Sequence, residues 1–161
     1  MEKPTEKLRL SNPIHFLATG FGSGLAPIMP GTIGTIAAIP VYLLLVHFSA
    51  WLLVAVILVG SVVGIYLCDR TAKDMQVHDH GSIVWDEFIG FWITMLAVST
   101  SDWRAVLLGF LLFRFFDIIK PWPIRWLDKK VHGGLGIMLD DIVAGIFAAI
   151  CLYFISSLFS N

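Results

Sequence analysis

Charge is what this sequence has least of. Only 14% of its 161 residues are Asp, Glu, Lys or Arg, against about 25% in an average soluble domain. By contrast 57% are hydrophobic, and the mean hydropathy is +0.82. Apolar runs this many and this long exceed what one small globular core can hide, so a water-soluble fold is excluded and a bilayer must cover them. The net charge is −1 and the basic residues are dispersed, which gives nucleic acid nothing to bind. Cysteine is nearly absent: Cys68 and Cys151 each lie inside an apolar run, in no C-x-x-C or metal-ligand spacing, and read as small packing residues. No repeat, low-complexity tract or long linker divides the chain, so residues 1–161 are expected to form one domain. A cleavable signal is also missing, because the first apolar run follows a polar start (Met1 to Leu10) and a Gly/Pro-rich stretch; the mature protein is expected to be the whole chain.

What is present is a set of five apolar runs, roughly Ile33 to Phe48, Trp51 to Cys68, Ile83 to Ser99, Arg104 to Ile119 and Leu139 to Phe159. They predict an all-α, polytopic transmembrane helical bundle of about four to five spans. The first run is short and carries Pro40, and is either a span or re-entrant. Tight turns are expected at Ser49-Ala50 and Thr100-Ser101-Asp102. Ser11-Asn12-Pro13 reads as a helix N-cap followed by an early proline, opening a short interfacial helix through Ala18.

Five spans with the N-terminus inside place Lys3, Lys7, Arg9, Arg70, Lys73, Lys120, Arg125, Lys129 and Lys130 on the cytoplasmic side, with Arg104 alone outside and Arg114 within a span. That is the bias expected of cytoplasmic loops. Trp51 and Trp103 would then mark the outer interface, and Trp85, Trp122 and Trp126 the inner one.

The acidic residues are the anomaly. Asp86 and Glu87 fall near the start of the third run, Asp117 near the end of the fourth, and Asp140 with Asp141 at the start of the fifth. All five face one leaflet in this topology. Acids at a helix start can be ordinary partners of the macrodipole, but Asp117 sits near a helix C-terminus, where a carboxylate is disfavoured. Its spacing from Arg114 and Lys120 predicts a plus, minus, plus stripe on one side of a helix, which could be purely structural. Five carboxylates with too few bases nearby are better matched to a hard divalent cation with oxygen ligands, and Mg²⁺ suits a site shared with phosphate oxygens. Gly90, Ala144 and Gly145 follow these acids by one turn and would let helices approach closely.

Gly20-Phe21-Gly22-Ser23-Gly24, followed by Pro27, Pro30-Gly31-Thr32 and Gly34-Thr35, is no Walker loop. Its glycines would either turn backbone N–H groups toward an anion or form a plain re-entrant loop. His78, Asp79 and His80 are either part of the site or a solvated turn; His47 reads as inert, and His132-Gly133-Gly134 as a loop before Asp140. Carboxylates, a cation, an arginine and a glycine-rich loop at one membrane face point to hydrolysis of a phosphate monoester on an anionic phospholipid. No C-x₅-R loop, D-x-D, P-S-G-H or D-G-x-x-A-R pattern offers another route. Two rivals are an ion transporter, which lacks a ladder of acids toward the other face, and a structural subunit, which leaves the carboxylates unexplained.

The segments G-F-G-S-G-L-A-P-I-M-P-G-T (20–32), I-V-W-D-E-F-I-G (83–90), F-R-F-F-D-I-I-K-P-W-P (113–123) and H-G-G-L-G-I-M-L-D-D-I-V-A-G (132–145) closely resemble bacterial phosphatidylglycerophosphatase A, over about Asn12 to Tyr153. The resemblance implies an inner-membrane enzyme of phospholipid synthesis with its active site facing the cytoplasm. It would use Mg²⁺ to remove the terminal phosphate of phosphatidylglycerophosphate, giving phosphatidylglycerol and inorganic phosphate. On this reading Asp86, Glu87, Asp117, Asp140 and Asp141 are the catalytic pool, and Glu87, Asp117, Asp140 and Asp141 the metal ligands within it. Arg114 and Lys120 would hold the phosphate with the backbone of Gly22, Ser23 and Gly24. Nothing in the sequence assigns an oligomeric state.

Overall fold

A computed structural model describes residues 4–159; Lys3, one of the basic residues counted above, lies outside them. The described residues form helices and turns, with no strand among them. After a 3₁₀ turn at Pro4–Lys7, α1 (Pro13–Ala18) leads through a second 3₁₀ turn at Ser23–Leu25 into α2 (Pro30–Phe48). There follow α3 (Ala50–Met75), α4 (Trp85–Met95), α5 (Trp103–Ile119), the short α6 (Ile124–Lys130) and α7 (Gly133–Phe159).

α1 forms where its cap predicts. The Asn12 side chain accepts from the Ile14 N–H at 3.0 Å, and Pro13 sits in the first turn, where its missing N–H costs nothing. His15, 4% exposed, pins α1 to the bundle: Nδ1 accepts from the Arg9 N–H at 3.1 Å, which leaves Nε2 as the donor to Asp74 Oδ2 of α3 at 3.1 Å.

Three helices are long and apolar enough to cross a membrane: Pro30–Phe48, Ala50–Met75 and Gly133–Leu158. The first apolar run is thus a continuous helix despite Pro40. α3 runs for 26 residues, about 39 Å against a hydrocarbon core of about 30 Å. Its last turns therefore stand clear, where Asp69–Lys73 and Arg70–Asp74 pair one turn apart. The single residue Ser49 separates α2 from α3, capping the latter by accepting from the Trp51 N–H.

The third apolar run differs from a simple span. Only Trp85–Met95 is α-helix, about 16 Å of rise, and residues 96–98 continue as turns closed by bonds such as Val98 N–H to Met95 O. This segment does not need bilayer length, because protein surrounds it: Phe88, Ile89, Gly90, Phe91, Trp92, Thr94 and Met95 are all buried. A helix apolar all round belongs at the centre, and α4 packs against α2, α3, α5 and α7. Trp85 is therefore no free interfacial anchor. It stacks on Phe88, and its indole N–H donates to Gly60 O of α3 at 3.0 Å. Trp51, Trp103, Trp122 and Trp126 are exposed. Leu58, Val62, Leu111, Phe115 and Phe154 are exposed too, an outer surface suited to lipid rather than water.

Candidate active site

The chain alternation brings the start of α2, the ends of α3 and α5, and the starts of α4 and α7 to one end of the bundle. Asp86 and Glu87 lie in the first turn of α4. Asp140 and Asp141 are not at a helix start, because α7 begins at Gly133 and they are its eighth and ninth residues, about two turns inside. A macrodipole partner belongs in the first turn, so that explanation fails for this pair. α7 starts early because Gly133 takes φ +73° and Gly134 lies against the Ile65 carbonyl of α3, where a Cβ has no room.

Two glycines set how closely α4 and α7 cross. A Cβ on Gly145 would collide with the Gly90 carbonyl oxygen, and one on Gly90 would fall 2.7 Å from the Asp141 carbonyl oxygen. Asp86 and Asp141 each lie one turn before these glycines, so the crossing that Gly90 and Gly145 permit brings the two acids face to face. The result is a cluster of Asp86, Glu87 and Asp141 whose ligand atoms lie within 4.8 Å of one another. The three residues are 8%, 8% and 3% exposed. One oxygen of each, Asp86 Oδ1, Glu87 Oε2 and Asp141 Oδ2, is buried with no hydrogen-bond partner. Buried carboxylates at this separation repel strongly and each lacks hydration. Clustered carboxylates with unpartnered hard oxygens are the donor set that a cation such as Mg²⁺ or Ca²⁺ takes.

The remaining acids pair with bases, although Asp140 Oδ1 is also buried without a partner. Arg114 Nη1 donates to Asp117 Oδ2 at 2.5 Å and lies 3.6 Å from Glu87 Oε1, bridging α5 to α4. Asp140 is paired with Lys120 Nζ, which also donates to Asp128 Oδ1 at 3.0 Å. The expected stripe is therefore broken at Lys120. This residue caps α5 in the left-handed conformation, φ 46°, which turns its side chain off the helix face and toward α6 and α7. Burial opposes the charge on Lys120, but Asp140 and Asp128 outweigh it and hold the ammonium above its usual pKa. Of the four acids named from the sequence as metal ligands, Glu87 and Asp141 lie in the tight cluster with Asp86, while Asp117 pairs with Arg114 and Asp140 with Lys120.

The segment Gly22, Ser23 and Gly24 does not reach the carboxylates. The Ser23 and Gly24 N–H groups donate to Gly20 O and Thr19 O, and a Cβ on Gly24 would strike the Ser82 carbonyl. It packs the α1–α2 connection against residues 82–84, with the Ser23 and Gly24 donors used internally. The glycine that does enter the site is Gly31, in the first turn of α2: a Cβ there would collide with Glu87 Oε1 and fall 3.3 Å from Arg114 Nη1 and Nη2. Pro30 has no N–H, and the Gly31 and Thr32 N–H groups, in the first turn of α2, have no acceptor within the helix; Gly31 itself lies beside Arg114. The sequence leaves Pro30-Gly31-Thr32 between an anion-facing turn and a plain re-entrant loop; the sharper signal is a proline and glycine opening an uncapped helix.

Asp79 also belongs at the mouth. Burial pushes its carboxyl up, against the attraction of Lys120 and with the repulsion of Asp128. Its histidine neighbours are engaged elsewhere: His78 Nε2 accepts from the Gly133 N–H at 3.3 Å and its ring lies 5.1 Å from that of His132, while His80 Nδ1 accepts from the Ser82 N–H. His47 meets Phe48 edge to face at the opposite end.

Fold and centre together define a polytopic helical membrane protein with a buried acidic centre at one end. The family model for phosphatidylglycerophosphatase A matches residues 16–156. The phosphatidylglycerophosphatase A of Escherichia coli K12 is 60% identical over 149 residues, 92% of this chain and 87% of that protein. The protein of the same name from Haemophilus influenzae Rd is 47% identical over 154 residues, 93% of each. A Bacteroides thetaiotaomicron protein, whose name proposes a phosphatidylinositol-3-phosphatase, is 37% identical over 144 residues, 84% of this chain and 89% of that one. No solved structure matches. The chain belongs to the phosphatidylglycerophosphatase A family, and it is a phosphatase.

Proposed function

We propose that this protein hydrolyses the terminal phosphate monoester of phosphatidylglycerophosphate to phosphatidylglycerol and inorganic phosphate. It does so with Mg²⁺ held by Asp86, Glu87 and Asp141, in the inner membrane, with the centre facing the cytoplasm. The observation that carries the chemistry is the cluster of three buried carboxylates, each with one oxygen lacking a partner, with Arg114 beside Glu87. The substrate rests on the names of the two relatives with highest identity given above. Orientation rests on the basic residues gathered at the site end.

Bound there, Mg²⁺ supplies Lewis-acid polarisation of the phosphoryl oxygens. Arg114 offers its guanidinium to the same phosphate, joined by the Gly31 and Thr32 N–H groups of the α2 N-terminus, whose dipole favours an anion. Phosphoryl transfer depends mainly on positioning and charge stabilisation, and these donors sit on two helices, α5 and α2. Asp117, fixed by Arg114 and outside the cation set, is placed to accept a proton from the attacking water. The P–O bond to the glycerol breaks, and the departing oxygen takes up a proton to give the free hydroxyl of phosphatidylglycerol. Asp140 and Lys120 close the side of the site toward α6.

The test is inorganic phosphate release from phosphatidylglycerophosphate by purified protein in detergent, with Mg²⁺ and then with EDTA. Release that EDTA abolishes and Mg²⁺ restores is the expected result. No release with any divalent cation, alongside cation flux in vesicles, would replace the phosphatase by a transporter.

A further inference from the structure

The substrate proposed above carries two phosphates, the monoester that is cleaved and a diester that joins the headgroup to the diacylglycerol. The carboxylate centre repels the second of these. Immediately beyond it, the chain turns at Lys120 and runs Pro121, Trp122, Pro123 into α6. This turn encloses a cleft of about 360 Å³ lined by Ile119, Lys120, Pro121, Trp122, Arg125, Trp126 and Lys129, a size within the range of small-ligand sites. Three of the lining residues are cationic and none is acidic. Trp122 and Trp126 are 82% and 53% exposed, as indoles are at the headgroup level of a bilayer. Arg125 is steadied by one bond, Nη2 to Ile119 O at 3.2 Å, which leaves other guanidinium donors for an anion. Lys120 joins the two regions, since it lines the cleft and its ammonium is paired with Asp140 beside the cation set. That ammonium is already neutralised by Asp140 and Asp128, so the attraction within the cleft falls to Arg125 and Lys129.

We infer that this cleft is the subsite for the phosphodiester of the lipid substrate, with Arg125 and Lys129 as its specificity-determining cations and Trp122 and Trp126 seating the glycerol backbone at the membrane surface. The inference rests on the phospholipid reading for its choice of ligand. It assigns Arg125 and Lys129 to binding alone, because the diester is remote from the bond that breaks and interacts equally in ground and transition states. Loss of such contacts raises KM and leaves kcat in place.

The experiment pairs kinetics with direct binding on the full chain in detergent. Arg125→Gln with Lys129→Gln is expected to raise KM for phosphatidylglycerophosphate roughly tenfold or more, the order expected of two basic side chains facing an anionic lipid, at unchanged kcat. Arg125→Lys should retain most of the wild-type KM. Dihexanoyl phosphatidylglycerol, which has the diester and no monoester, is expected to perturb tryptophan emission at concentrations where dihexanoylglycerol does not, and the double variant should lose that difference. An unchanged KM in the double variant, or equal responses to the two probes in the wild type, would overturn the subsite. Absence of phosphate release with the phosphatidylglycerol response intact would instead remove the proposed reaction and leave the diester site standing.

Discussion

Asp141 stands under two opposed demands. Its carboxylate is 3% exposed, faces Asp86 and Glu87, and leaves Oδ2 without a partner, so in the absence of a cation it weakens the fold it belongs to. Structural ion pairs behave in the opposite way, since removing one partner strands the other. Asp141→Asn is therefore expected to cut phosphate release by about 10²-fold or more, in line with loss of one preorganised electrostatic group. The same change should raise the melting temperature in EDTA, by about 2–4 °C for each kcal/mol of repulsion relieved. Scanning fluorimetry and phosphate release on the same preparation decide it. A lower melting temperature in EDTA would make Asp141 a structural residue. A second contrast separates the two glycine-rich segments. Gly31→Ala drives a methyl group onto Glu87 and Arg114 and is expected to reduce release at least tenfold, the scale of an interaction of about 1.4 kcal/mol. Ser23→Ala removes only hydroxyl bonds to Gly20 O and Thr19 O inside the connection and should leave KM within twofold. A raised KM in Ser23→Ala would return phosphate binding to residues 22–24.

Among the elements, the α4–α7 crossing does most to assemble the centre. Thr94 Oγ1 donates to Gly90 O at 3.0 Å and lies 3.3 Å from Gly145 O, locking the two backbones where they touch. Gly145→Ala places a methyl group where the Gly90 carbonyl is, an overpacking that costs about 1–3 kcal/mol and moves Asp141 away from Asp86. Thermal unfolding and activity should fall together in this variant, whereas Asp141→Asn separates them. Retained activity in Gly145→Ala would mean that the acids do not depend on this crossing. Much of this architecture is readable from residues. The α1 cap, the turn at Ser49, the apolar runs and the one-turn spacing of Gly90 and Gly145 after the acids are local patterns, and each has its counterpart in the structure. What escaped was set by neighbours. Gly133-Gly134 reads as loop, yet it opens α7, because Gly134 lets α7 approach the Ile65 carbonyl of α3. Lys120 reads as part of the Asp117 stripe, yet a left-handed cap sends it to Asp140 and Asp128. The Ser23 and Gly24 donors look free in one dimension and are consumed by Gly20 and Thr19 in three.

For the molecule as a whole, the centre lies at one end of the bundle, and the proposed inward orientation rests on where the bases lie. Lys7 donates to Gln76 at the end of α3, and Arg9 is tied through His15 to Asp74. These two therefore share the site end with Arg70, Lys73, Lys120, Arg125, Lys129 and Lys130, while the far end, marked by Ser49, Thr100 and the Asp102 cap of α5, carries only Arg104 among the described residues. A basic excess of this kind keeps loops cytoplasmic during insertion. With Cys68 and Cys151 replaced by alanine, Ser101→Cys is expected to react with a membrane-impermeant maleimide in intact cells, and His80→Cys only after permeabilisation. Ser101 and His80 lie in the connections at opposite ends of α4, so the pair reports orientation on both sides of the same central helix. Labelling of His80→Cys in intact cells, with Ser101→Cys protected, would turn the centre outward and require its substrate to be delivered to the outer leaflet.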